Sequence, residues 1–359
     1  MVSETGSGTD VSLVASLLAR DSDAVIDRLA SPSFDPEAFL AFAYHNHLAG
    51  FLFIAMREID QLSRLPRKVV SELEGFYEER HLCTGRGLME EMDLLLSRLR
   101  TADIDAIFLK GPFLAQRFYG NADARLFWDI DLLVRNRKDV VRSDQLLREV
   151  GYRRRSNLII GYHLAMHFAH EFEYERGWKK LDLHWSLGTH FSFKIDMDRL
   201  WSTKTSEVLH GKAFEVLSNE YVLVTLIVAV FNDVQRGKLR LKGFVDLYMV
   251  LAATAEDMDW PEFFERRRAE GLLTISYTIL LLALNLLDCR QRFIQLASVA
   301  ERGIPAVRTD RQYGCQLLEK KHHSFTNKWW TFQLYQPSLW TVLPWYIVSQ
   351  PFKKAMYGR

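Results

Sequence analysis

Cysteine is scarce in this chain: 359 residues carry only Cys83, Cys289 and Cys315. Odd in number and far apart, they exclude a disulfide framework and a cysteine-rich zinc site, and they fit a reducing cytoplasm. Charge of one sign is missing as well, since 46 Lys and Arg stand against 45 Asp and Glu for a formal net charge of +1. A dedicated nucleic-acid binder announces itself by a basic excess or stripe, so nucleic acid is not an expected partner. Long apolar runs are absent too. The nearest, 221–231, 272–287 and 339–348, fall short of the roughly 18–20 residues that span a bilayer and read as buried core helices or surface-docking segments. The first residues, MVSETGSGTD, are polar and acidic, so no secretory leader is expected. No GxxxxGK, GxGxxG, HExxH or GxSxG occurs, which removes P-loop, dinucleotide, zincin and hydrolase readings.

What remains is the composition of a folded protein, 48% hydrophobic and 25% charged, long enough for more than one core. Residues 1–10 are Gly/Ser/Thr-rich and expected to be disordered. From 11 to 100 the apolar residues recur at helical spacing, as in Leu13, Leu17 and Leu18, or Met92, Leu95, Leu96 and Leu99. Asp35-Pro36 reads as a helix start, with the acid as cap and proline at the first helical position. This is an N-terminal helical lobe.

The character changes over 101–218. Asp105 to Leu109 reads as a short buried strand, and Lys110-Gly111-Pro112 turns it into a helix ending near Tyr119. Phe127 to Val134 is a second strand, Asp139 to Val150 a helix closed by Gly151, and 167–175 with 180–185 a hairpin around Gly177. Strand, helix, strand, helix and hairpin make a core with a small sheet. Helices resume over 219–328, beginning after Ser218. A tail over 329–359 holds Trp329, Trp330, Trp340 and Trp345 and is broken by Pro337, Pro344 and Pro351. It reads as a segment wrapped over the helices or against an oligomer partner in preference to a membrane-surface helix.

Chemistry concentrates between Leu109 and Val134. Asp129 and Asp131 are two apart in an apolar strand, so both carboxylates leave from one face, while Trp128, Ile130, Leu132 and Val134 point the other way into a core. Two acids side by side repel, and burying them is costly. A Mg²⁺ ion shared with substrate phosphates relieves both problems. Gly111 allows the backbone to approach a ligand, and the helix start after it favours phosphate. Lys110 and Arg125 can add positive charge nearby. Asp182 alternates with Leu181 and Leu183, and therefore shares a strand face with His184.

These residues carry a resemblance. A glycine turn, Asp-x-Asp on a strand and a lone Asp on a later strand resemble the polymerase-β-like nucleotidyltransferase superfamily. More narrowly, LKG at 109–111, Arg125 four residues before the first acid, DIDLLV at 129–134 and DLHW at 182–185 look like a bacterial family of nucleotidyltransferase proteins. The segment Phe244-Val245-Asp246-Leu247 is similar to that family's later helix, and only the part beyond about residue 300 lies outside the resemblance. It implies an α+β fold: a polymerase-β-like core, a small mixed sheet with helices, flanked by N- and C-terminal helical lobes. It implies further that Asp129 and Asp131 hold Mg²⁺ (or Mn²⁺) on the triphosphate. Asp182 would ligate a second ion and help deprotonate an acceptor hydroxyl. Gly111 would line the phosphate turn, and Lys110 and Arg125 would offset triphosphate charge. The expected reaction is transfer of AMP from ATP to a hydroxyl of a small molecule, peptide or protein, with release of pyrophosphate. Two features depart from the pattern. The turn is Gly111-Pro112 where relatives have Gly-Ser or Gly-Gly, and proline has no N–H to offer. The stretch Ala229 to Gln235 also lacks the histidines that relatives often carry there.

Plainer readings stand beside each of these. Asp-x-Asp also occurs at solvated strand ends, and Asp182 can accept hydrogen bonds in a hairpin. Lys110 can be a surface lysine, and Arg125 can pair with a structural acid. His184 contacts the nucleotide, orients Asp182 or packs beside Trp185. His163, His167 and His170 mimic a zinc cluster, but on a strand His167 and His170 face opposite ways. His45 and His47 suggest no partner. The competing functions are a nucleotide-binding regulatory or adaptor protein with a degraded site, for which Pro112 is the hint, and a toxin-like enzyme that extends RNA ends.

Overall fold

The computed structural model describes residues 6–79, 85–121, 124–155, 166, 169–188, 193–303, 307–319, 334 and 351. His163 and His167 fall outside the described residues, and so does the aromatic tail apart from Leu334 and Pro351. Among the described residues no helix is long and apolar enough to cross a membrane.

Helices open the chain, and the first, Gly6–Ala19, begins inside the stretch expected to be disordered. The helix Pro36–His45 starts where its sequence says: the Asp35 carboxylate accepts from the amides of Glu37 and Ala38 at 3.0 and 3.2 Å, and proline fills the first helical position. Helices Ala49–Glu58 and Arg67–Tyr77 follow. The next helix, Arg86–Thr101, buries Leu95 and Leu99 beneath the sheet.

The sheet has seven strands among the described residues: β1 (Ala106–Phe108), β2 (Asp129–Val134), β3 (Arg153–Arg154), β4 (Glu171–Arg176), β5 (Lys179–His184), β6 (Thr205–Leu209) and β7 (Lys212–Val216). Their order is β3-β4-β5-β2-β1-β7-β6; β2 runs parallel to β5 and β1 to β7, and the other pairs are antiparallel. The fold is therefore α+β with a mixed sheet. The β4–β5 hairpin turns at Gly177, at φ +60°. Sequence reading passes over the β6–β7 hairpin, because Thr205-Ser206-Glu207 is polar and exposed on an edge strand. Its two-residue turn, His210-Gly211, has both residues at positive φ, which matches the twist of the strands it joins. The helix Arg137–Glu149 starts two residues before the expected Asp139 because the Asn136 side chain caps it, accepting from the amides of Lys138 and Asp139 at 3.0 Å.

One face of the sheet is apolar. Ile130, Leu132, Leu181, Leu183, Phe172 and Tyr174 pack there with Leu95, Leu99, Val140 and Leu147. Trp128, expected to share this face, lies just before β2 and borders a cleft on the opposite side. That other face is roofed by helices. The early helices and the later ones, Asn219–Arg236, Leu241–Thr254, Trp260–Ala269 and Leu273–Leu286, share one continuous core that includes Val14, Leu52, Phe231, Phe244 and Leu280. Asn46 accepts the amide of Leu241 at 2.9 Å, and the Tyr248 hydroxyl donates to the Leu18 carbonyl at 3.0 Å. Both bonds are buried, so they lock chain-distant helices together.

Helices Asn219–Arg236 and Leu241–Thr254 touch at Gly243, where an added Cβ would stand 2.8 Å from Val230 Cγ2. Gly243→Ala must push the two helices apart, and we expect a loss of about 1–3 kcal/mol in denaturant unfolding. A second expectation concerns pH. Asp10 is buried in the first helix, and burial together with the Asp35 charge raises its pKa from 3.8 to about 7. The folded state keeps this proton longer than the unfolded chain, so stability falls as pH climbs from about 4 to about 7 and is flat above. Asp10→Asn should therefore melt higher than the parent at about pH 8, with the difference vanishing near pH 4.

Candidate active site

The site lies at the β1–β2–β5–β4 portion of the polar face. β1 passes into the turn through Leu109, whose amide donates to the Asp131 carbonyl at 3.1 Å. Gly111 follows at φ +68° and ψ −136°, a conformation that side-chain-bearing residues rarely hold, and Pro112 begins the next short helix. The turn delivers Lys110 to the acids, with Nζ 3.6 Å from Asp131 Oδ2. Burial pulls the lysine pKa down, but the charges of Asp131 and Asp129 outweigh it and hold the ammonium form.

Strand register sets the acids. Asp131 lies directly across from Asp182 on neighbouring parallel strands, whereas Asp129, one pleat back, faces Lys180. On the far side of β5, Glu171 lies across from His184. The His184 ring is held between two carboxylates, Nε2 at 3.1 Å from Asp131 Oδ1 and Nδ1 at 3.2 Å from Glu171 Oε2. His170 Nε2 stands 3.5 Å from the same Glu171 oxygen. Burial disfavours the charged imidazole, yet its bond to Asp131 and the charge of Glu171 raise the His184 pKa. Asp131 in turn is lowered against its own burial by Lys110 and His184. Asp129 is raised by burial and by Asp131, and Asp182 is pushed up to about 8 by burial, Glu171 and Asp131. At Asp129 and Asp182, then, burial and like charge outweigh the neighbouring cations.

The expected site residues are brought together, with two changes of role. Arg125 is committed to a buried acid. Its Nε and Nη2 bind Asp246 Oδ1 and Oδ2 at 2.7 and 2.9 Å, and the Tyr119 hydroxyl donates to Oδ1 at 2.6 Å. The pair ties the loop before β2 to helix Leu241–Thr254, so Arg125 fixes the roof of the site over the sheet. His184 is not a bystander beside Trp185, because both ring nitrogens engage carboxylates of the cleft.

The cleft holds about 470 Å³, within the range of nucleotide-sized ligand pockets. Sequence reading missed much of its lining. Helix Asn219–Arg236 contributes Asn232 and Asp233. It ends at Gly237, at φ +62°, and the amide of Lys238 bonds back to the Asp233 carbonyl at 2.8 Å, which closes the helix and turns the chain along the cleft. Arg236, Lys238, Arg240 and Lys242 then all line it. The alternation Arg-x-Lys-x-Arg-x-Lys was a visible signal, hidden only by a balanced total charge. Burial and the neighbouring Arg125 push the Lys242 pKa down to about 8, although Asp246 lies 3.7 Å away. His47, at φ +57°, brings the N-terminal helices to the cleft; its ring lies 6.3 Å from that of Trp128, and burial with Lys242 and Arg240 pushes its pKa down to about 4. Glu171 also had a signal, since a hairpin turning at Gly177-Trp178 places it opposite His184.

Among the described residues, two groups of side chains place metal-ligating atoms within 4.8 Å of one another: Asp131 with Asp182 and His184, and His170 with Glu171 and His184. Asp129 belongs to neither. The donor set fits a divalent cation, because a cation would neutralise the charge that raises Asp182 and Asp129.

The Arg125–Asp246 pair supplies a stability test. Asp246→Ala leaves a guanidinium buried without its carboxylate and should cost about 3–5 kcal/mol in equilibrium unfolding. An exposed ion pair such as Lys68–Glu37, 2.8 Å apart, should cost far less on the same change, because water and salt screen it.

No curated protein and no solved structure matches the chain. The sequence pattern of a protein family described as uncharacterised nucleotidyltransferase matches residues 32–288. That span takes in the whole sheet, most of the helices over it and every side chain named in the cleft. With a triplet of acids and imidazole on one wall and a run of cations beside it, the chain belongs to this nucleotidyltransferase family and is an enzyme that transfers a nucleotidyl group from a nucleoside triphosphate.

Proposed function

We propose that this enzyme has a polymerase-β-like core and uses Mg²⁺ or Mn²⁺ to move a nucleotidyl group, AMP from ATP, onto a hydroxyl of a small molecule, peptide or protein. The observation that carries the reading is the register of β2 and β5, which sets Asp131 and Asp182 side by side in a cleft lined by cations. Asp129, Asp131 and Asp182 would hold the ion or ions, and a bound ion would neutralise triphosphate oxygens and make the α-phosphorus easier to attack. Choice of ATP and of a hydroxyl acceptor follows the family resemblance. The two described cysteines are free thiols, in keeping with a cytoplasmic enzyme.

The reaction balances without any further reagent. An acceptor oxygen forms a bond to the α-phosphorus, the bond from that phosphorus to the bridging oxygen breaks, and pyrophosphate leaves. Asp182, beside Asp131 in the cleft, would take the acceptor proton at its carboxylate once a bound cation offsets the burial and like charge that otherwise keep it protonated. The Gly111 turn brings the backbone close to the phosphates while Pro112 offers no amide, so the grip on the triphosphate shifts to side chains. Lys110 and Lys242 reach the site from the turn and from the roof, and Arg236, Lys238 and Arg240 extend the positive wall. Charge placed before the substrate arrives needs no reorganisation during the reaction.

Pyrophosphate release from each NTP, with Mg²⁺ or Mn²⁺ and a cell extract as the acceptor source, tests the proposal. Asp131→Asn and Asp182→Asn should each lower the rate by at least ~10²–10³-fold. Lys242→Met should raise KM for the nucleotide about tenfold with a smaller change in kcat, as expected when a ground-state phosphate contact is lost. Turnover undiminished in Asp131→Asn would sink this assignment of the site.

A further inference from the structure

We propose that His184 is itself a ligand of the divalent ion, sharing it with Asp131 and Asp182, and that Glu171 holds the imidazole in place from behind. The inference rests on the nucleotidyl-transfer reading of this cleft and changes its metal chemistry. Resemblance supplied three carboxylates. The structure brings together two carboxylates and an imidazole, because register pairs Asp131 with Asp182 and leaves Asp129 facing Lys180, about 7 Å along the strand at ~3.3 Å per residue.

The imidazole is built into place. Its side chain is 8% exposed, Nε2 faces Asp131 Oδ1 at 3.1 Å, and Nδ1 meets Glu171 Oε2 at 3.2 Å. Metal-binding histidines commonly present one ring nitrogen to the ion and donate the other N–H to a carboxylate, which fixes the tautomer and the ring plane. Glu171 occupies that second position through the β4–β5 register. Magnesium prefers an all-oxygen shell, whereas imidazole nitrogen suits first-row transition ions. An imidazole in the shell therefore weighs against Mg²⁺ relative to a first-row transition ion, and Mn²⁺ is a member of that row that can be read by EPR. In this arrangement His170 stays outside the ion's shell, and its Nε2 faces Glu171 at 3.5 Å.

Pulsed EPR of Mn²⁺ on the full chain, without nucleotide, reads this directly through ¹⁴N hyperfine coupling from a coordinated imidazole. We expect the coupling in the parent protein and in His170→Gln, and its loss in His184→Gln. Mn²⁺ affinity should weaken at least ~10-fold in His184→Gln and about 10-fold in Glu171→Gln, with the latter keeping the coupling. Mg²⁺ affinity should change less, so the Mn²⁺/Mg²⁺ preference narrows. Absence of nitrogen coupling in the parent overturns the proposal, whether or not His184→Gln folds. Loss of coupling in His170→Gln also overturns it, by moving the ion to the His170–Glu171–His184 group. Coupling that behaves as expected in a protein releasing pyrophosphate from no NTP would uphold the ligand assignment and defeat the donor reading. An active enzyme with no nitrogen coupling would do the reverse.

Discussion

Asp131 and Asp182 sit in register on adjacent parallel strands, with Glu171 one strand further on, and the site has to be built around their mutual repulsion. Their strands cannot move apart, since the opposite face of the same strands is sealed by Leu132, Leu181, Leu183 and Phe172 in the sheet's core. Close packing of that face converts a hydrophobic driving force into fixed positions for like charges. The protein relieves the repulsion only in part. Lys110 and the His184 imidazole steady Asp131, while burial and like charge push the carboxyl pKa of Asp182 up to about 8 and that of Asp129 upward from its ordinary value. A carboxylate whose pKa is raised by like charge gains from any cation that comes to lie beside it.

A second constraint is the roof. The Arg125–Asp246 pair crosses from the loop before β2 to helix Leu241–Thr254, and the Tyr119 hydroxyl completes the carboxylate's shell. Buried ion pairs are weak contributors to net stability but severe about geometry, because either partner alone is costly to bury. The pair therefore keeps the helical roof over the acids. Just before that helix the chain swings out of Gly237 and carries Lys238, Arg240 and Lys242 along the cleft. Acids from the sheet and cations from the segment after Gly237 thereby share one cavity.

Local rules made much of this legible from residues alone. Period-two alternation placed Asp129 with Asp131 and Asp182 with His184, Asp35-Pro36 announced a helix, and Gly177 marked a hairpin. These signals are short-range and follow from backbone geometry, so they survive without a partner. The sheet edge β6–β7 did not show itself, since exposed polar residues form strands there only when β7 pairs with β1. Trp128 was misassigned for a related reason: alternation fails one residue outside a strand.

The sequence by itself determined that a strand would project two acids from one face, that a glycine turn would bring Lys110 near them, and that a third acid would follow on a hairpin. Tertiary structure alone decided which acid meets which. It gave Arg125 to an aspartate 121 residues away, set His184 between Asp131 and Glu171, and left Asp129 outside the tightest ligand group. Those outcomes depend on strand register and helix packing between distant segments. Register is a comparison of whole hydrophobic faces, and no single stretch of residues carries it.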